Sequence, residues 1–168
     1  MMYSRILIVL IHVLAAIVWL GGMFFIALVI VPSLKKIEPA EKRFQVLSAT
    51  ARRFRTVSWI AIPILLVTGV LNAMNRGVTI DLISSGMLFS SLFGQVLTIK
   101  VTLVFVMIIL SAIHDFVLGP RLINILEASN PNPGSASKIK RYRKYVSWLA
   151  RVNALLAILV VACGVMLS

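Results

Sequence analysis

Residues 6–31 read ILIVLIHVLAAIVWLGGMFFIALVIV, an apolar run with no formal charge and one histidine, His12. A helix that crosses a bilayer needs roughly 17–25 predominantly apolar residues, and this run supplies them. Three further windows do the same. About 57–74 is uncharged and holds Pro63, Gly69 and Asn72; about 96–118 carries Lys100, His114 and Asp115; about 146–167 carries Arg151 and Asn153. Lipid offers no partner for open backbone groups, and no ten-residue alternating pattern of barrel strands occurs, so these windows read as helices. The run at 6–31 is about twice the length of a signal-peptide core and follows a single cation, Arg5, so it reads as a retained helix. The expected fold is an all-α membrane protein, a four-helix up-down transmembrane bundle forming one domain over 1–168.

The composition agrees. Of 168 residues, 60% are hydrophobic and 13% are charged, whereas a soluble domain carries about 25% charged residues and has too little interior for this much apolar surface. Disorder, a secreted disulfide scaffold and a cytosolic enzyme are excluded. Cys163 stands alone, so no internal disulfide forms. No P-loop, nucleophile elbow, zinc-protease motif or paired carboxylate occurs, and no catalytic residue is assigned.

The net charge of +12 is first a topology signal. Lys35, Lys36, Lys42, Arg43, Arg52, Arg53 and Arg55 lie between spans one and two, and Arg121, Lys138, Lys140, Arg141, Arg143 and Lys144 between spans three and four. Only Arg5 and Arg76 fall on the opposite side. Loops 32–56 and 119–145 are therefore expected in the cytoplasm and both termini outside, with an apolar outer loop at 75–95. The cations suit orientation and anionic lipid headgroups at the cytoplasmic face; without an aromatic platform among them they do not read as a nucleic-acid surface. Pro39 and Glu41 look like a helix start, with Phe44, Leu47, Ala51 and Phe54 on one face of an amphipathic helix leading into span two. Residues 130–137 read as the one linker.

Polar residues inside lipid are candidates for function, and a rise of 1.5 Å per residue estimates their depth. From the window centres, His12 lies ~9 Å outside the midplane and Lys100, Asn72 and Cys163 each ~10 Å outside, with Thr68, Thr98 and Met166 nearby. His114 and Asp115 lie ~11–12 Å on the inner side, level with Arg151 and Asn153, so an ion pair of Asp115 with Arg151 or Arg121 is expected. Lys100, Met107 and His114 recur every seven residues and share a helix face. His12 and His114 differ in depth by ~20 Å, which excludes one haem held by both. Structural roles stand beside these: Lys100 snorkelling to headgroups, His12 at a helix contact, His114 and Asp115 anchoring a helix end. Trp19, Gly21 and Gly22 read as a helix-packing motif.

His12 followed by Trp19-Leu20-Gly21-Gly22 and an apolar run to Pro32 resembles the opening helix of the copper-resistance protein D (CopD) domain family. Arg53-Phe54 leading into Leu65-Leu66-Val67-Thr68-Gly69-Val70-Leu71-Asn72 resembles its second helix. Gly94-Gln95, Leu97, Lys100 and Leu103-Val104, down to Pro120-Arg121-Leu122, resemble its third. The likeness runs over about 5–122, with span four matching in character. The histidine–tryptophan–glycine opening and the lysine of span three are also similar to the HemJ-type haem-biosynthesis membrane proteins, which resemble protoporphyrinogen oxidases.

The first resemblance implies copper uptake or handling in a bacterial or archaeal plasma membrane, with His12, Trp19, Gly22, Thr68, Asn72 and Lys100 as the matching positions. Copper(I) favours thiolate and thioether ligands, and the outer layer offers Cys163, Met166 and Met74 beside His12. A cation at Lys100 repels a metal ion along the same path. The second resemblance implies haem b, with His12 as axial ligand, His114 as the other candidate, and Lys100 paired to a porphyrin carboxylate. A third reading is a structural subunit of a larger membrane complex, or a homo-oligomer.

Overall fold

The computed structural model describes residues 2–122 and 133–167, and every regular element among them is helical. They are α1 (Met2–Leu34), α2 (Ala40–Asn75), the short α3 (Ile80–Ser84), α4 (Leu92–Leu122) and α5 (Pro133–Met166). α1, α2, α4 and α5 each contain a stretch long and apolar enough to cross a membrane.

The helices outrun the windows that revealed them. At 36 residues, α2 extends over ~54 Å, against a hydrocarbon thickness of about 30 Å. The sequence windows stop where charges begin, but a charged side chain does not end a helix in water. Stretch 32–56 therefore holds the end of α1 and the opening of α2, leaving residues 35–39 as the connection. The stripe of Phe44, Leu47, Ala51 and Phe54 belongs to the same uninterrupted helix as span two. Residues 123–132, with the first part of the expected linker, lie outside the described residues. The rest of that linker is already helical, because Pro133 opens α5 at a position where no N–H is needed.

Local chemistry fixes the helix ends around residues 75–95. After α2, Gly77 takes φ +86°, and the amides of Gly77 and Val78 donate to the carbonyls of Met74 and Ala73. This is a Schellman closure, which favours a residue without a side chain at the left-handed position. Thr79 caps α3 by accepting from the Leu82 amide at 3.3 Å. Ser91 caps α4 by accepting from the Gly94 amide at 3.0 Å. The stretch 75–95 is thus largely built from short helical pieces, with a 3-10 turn at Met87–Ser90.

The chain forms two compact units, Met1–Leu88 and Phe89–Ser168. In the first, α1 packs antiparallel to α2, burying Ala15, Trp19, Leu20, Ala61 and Ile62. In the second, α4 packs antiparallel to α5, burying Val96, Met107, Leu149, Ala157 and Val160. Large apolar side chains such as Leu28, Ile60, Phe105 and Leu155 stay exposed, as a surface solvated by lipid tails requires. Among the described residues three π-helical turns interrupt the α geometry, at Ile17–Gly21 and Ile26–Ile30 in α1 and at Ile113–Leu118 in α4.

Candidate functional site

In the first unit, His12 stands on α1 where that helix meets α2. Its Nδ1 is 2.8 Å from the Thr68 hydroxyl oxygen. The neighbouring residue on α2 is Gly69, and a β-carbon there would lie 3.5 Å from His12 Cε1. The imidazole ring thus lies close against α2, at a distance that a β-carbon would meet as an ordinary contact. Thr68 is 6% exposed. Its hydroxyl also lies 2.6 Å from the Ile64 carbonyl one turn back, the usual local bond of a helical threonine.

Depth estimates from the apolar windows set Asn72 level with His12; the helix contact sets Thr68 there, one turn further in. Window centres follow composition, and composition does not fix which turns of two helices meet. Asn72 is half-buried one turn beyond Thr68.

The packing motif divides between its two glycines. Trp19 is buried in the first π turn. Gly22 lies against the Phe54 ring, so close that a β-carbon would collide with it. Gly21 is exposed, with nothing near its β-position.

In the second unit, Lys100 reaches from α4 to α5, its Nζ 3.6 Å from where a β-carbon of Gly164 would stand. Cys163, half-buried, adjoins that glycine, whereas Met166 is 66% exposed. Eleven residues further along α4, Ser111 accepts a hydrogen bond from the Asn153 amide at 3.0 Å. Gly164 to Asn153 is the same step along α5, so the two helices keep one register between these contacts. Met107 and Ala157 lie in that register, and both have no exposed surface. Ser111 was not singled out from sequence; its place three residues before His114 was the available signal.

His114 and Asp115 sit in the π turn of α4, where the Gly119 amide donates to the His114 carbonyl five residues back. The His114 Nδ1 and an Asp115 carboxylate oxygen are 2.9 Å apart. Neighbouring residues of an α-helix do not face each other, and the wider turn brings these two into contact. Because a carboxylate only accepts, Nδ1 of His114 is the donor in this contact. Arg151 is exposed on α5.

Among the described residues no group of three or more His, Cys, Asp and Glu side chains forms a metal cage. What the chain offers instead is single histidines, each with Nδ1 engaged by a neighbour. That arrangement orients an imidazole for coordination through the other nitrogen.

The chain is similar to an uncharacterized protein of Aquifex aeolicus, 26% identical over 166 residues, which covers 98% of this chain and 96% of that one. No solved structure matches. Residues 48–167 match the family described as copper resistance protein D. This stretch takes in spans two to four, including the span whose likeness was one of character alone, and leaves span one with His12 outside it. Four spanning helices, the ordered motifs of spans two and three and a match over most of the chain lead to one conclusion: the protein is a membrane member of the copper resistance protein D family.

Proposed function

We propose that the protein handles copper within the membrane, with His12 as the outer ligand. The observation that carries this reading is the seat of His12 on α1 against Thr68 of α2, its Nδ1 2.8 Å from the threonine hydroxyl, an orienting contact of the kind that ligating histidines make. Family membership supplies the identity of the ion. The donor set fits cargo in passage better than a resident centre, since a full cage would hold the ion and hinder its release.

In the second unit Cys163 is the candidate soft donor, with Met166 and Lys100 near it in the depth that the sequence gives; Asn72 belongs with His12 to the first unit. His114 is a further candidate ligand of the second unit, its Nδ1 beside Asp115, with Arg151 the further partner that depth suggests. Both termini lie outside the plasma membrane and the basic segments lie on anionic headgroups of the cytoplasmic leaflet, as the charge bias indicates.

The test is copper(I) binding by the full chain in lipid nanodiscs, read by metal analysis after gel filtration. Retained copper that His12→Ala removes and His12→Met restores is the expected result. Equal copper in wild type and His12→Ala would overturn the reading. A Soret band in the purified protein, altered by His12→Ala, would replace copper by haem b.

A further inference from the structure

The Thr68 hydroxyl has one proton and two neighbours placed to share it. Its oxygen is 2.6 Å from the Ile64 carbonyl oxygen and 2.8 Å from His12 Nδ1. The Leu65 carbonyl, at 3.4 Å, lies beyond the range of a good O–H···O bond, about 2.5–3.0 Å. Two oxygens do not rest as near as those of Thr68 and Ile64 without a proton between them, because their lone pairs repel. A carbonyl can only accept, so that proton belongs to Thr68 and points at Ile64. The hydroxyl oxygen is then an acceptor toward His12, and the hydrogen in the second bond must come from Nδ1. A neutral imidazole has one N–H. Its lone pair is therefore on Nε2.

We infer that Thr68 sets the tautomer of His12, holding it as the Nδ1–H form with the lone pair on Nε2. Thr68 touches the histidine and not the metal, so it is a positioning residue. The inference about the tautomer stands on the hydrogen bonds alone; its consequence for copper rests on the reading above. An unconstrained histidine side chain prefers the Nε2–H form, which has no lone pair on the outward nitrogen. The threonine thus reverses an intrinsic preference. Its burial, at 6% exposure, keeps water from competing for either bond.

The measurement is nitrogen-15 NMR of histidine-labelled full chain in nanodiscs without metal, well above the ordinary imidazole pKa of about 6.5, with His114→Gln used to assign the His12 signals. Expected in the wild type is a protonated, pyrrole-type Nδ1 and a pyridine-type Nε2. Thr68→Val, nearly equal in shape, should exchange the two patterns, and Thr68→Ser should keep them. Copper(I) affinity should fall roughly 10- to 100-fold in Thr68→Val and stay near wild type in Thr68→Ser. A pyridine-type Nδ1 in the wild type, or the same tautomer in wild type and Thr68→Val, would overturn the inference. If the tautomer follows Thr68 but copper binding does not depend on His12, the inference stands and the copper reading fails.

Discussion

Lys100 stretches its ammonium across to Gly164, whose missing side chain leaves the space that the cation occupies. A lysine in a membrane helix is costly unless it reaches polar surroundings. Here its Nζ lies against α5 at Gly164. A β-carbon at 164 would meet Nζ at 3.6 Å, an ordinary contact. Gly164→Ala should therefore change stability by less than about 1 kcal/mol, whereas Gly164→Leu should cost roughly 1–3 kcal/mol by overpacking. Denaturation in mild detergent checks both, and amine-reactive labelling should show Lys100 more accessible in the leucine variant alone.

Gly22 and Gly21 separate a contact from a bystander. Gly22→Ala drives a methyl group into the Phe54 ring and should lower stability by about 1–3 kcal/mol. Gly21→Ala meets nothing and should be neutral or slightly stabilising. Adding Phe54→Leu to Gly22→Ala should recover part of the loss, giving a double-mutant coupling of at least about 0.5 kcal/mol. Additive losses would show that the two residues do not share the site.

The Asn153–Ser111 hydrogen bond ties the lower part of α5 to α4. Such bonds within membranes couple by about 0.6 kcal/mol on average and rarely above about 1.7. The cycle of Ser111→Ala and Asn153→Ala should fall in that range. A coupling indistinguishable from zero would remove this pair as a clasp between the helices.

The orientation can be read with reporters. Alkaline phosphatase fused after the last residue should be active, and green fluorescent protein inserted at residues 35–39 should be fluorescent. Replacing Arg52, Arg53 and Arg55 with glutamine should weaken this bias, since such charges act through lysine and arginine counts near the span ends.

Much of the architecture can be read from residues alone, because lipid imposes a length and a lack of charge that few other settings demand. The four windows are visible for that reason. Their true ends are not, since Ala40 to Phe54 is helical in spite of its cations, and Pro133 opens a helix where Asn-Pro and Pro-Gly pairs suggest a linker. The depth estimate sets Asn72 beside His12, one turn from the Thr68 that the helix contact sets there. Whether Thr68 or Asn72 faces His12 depends on the register of α1 against α2, seen where Gly22 meets the Phe54 ring and Gly69 meets His12. The His114–Asp115 contact was hidden for another reason: the π turn beneath it is a backbone pattern with no side-chain signature.

Those widened turns carry a consequence for how the chain can change in length. A π turn holds one residue more than the α turn it replaces. Losing a single residue from 17–21, 26–30 or 113–118 would let ordinary helix close over the gap, leaving the flanking faces nearly in phase. The same loss elsewhere in α1 or α4 would rotate everything beyond it by about 100°. Single-residue gaps between this chain and its relatives should gather at these three places.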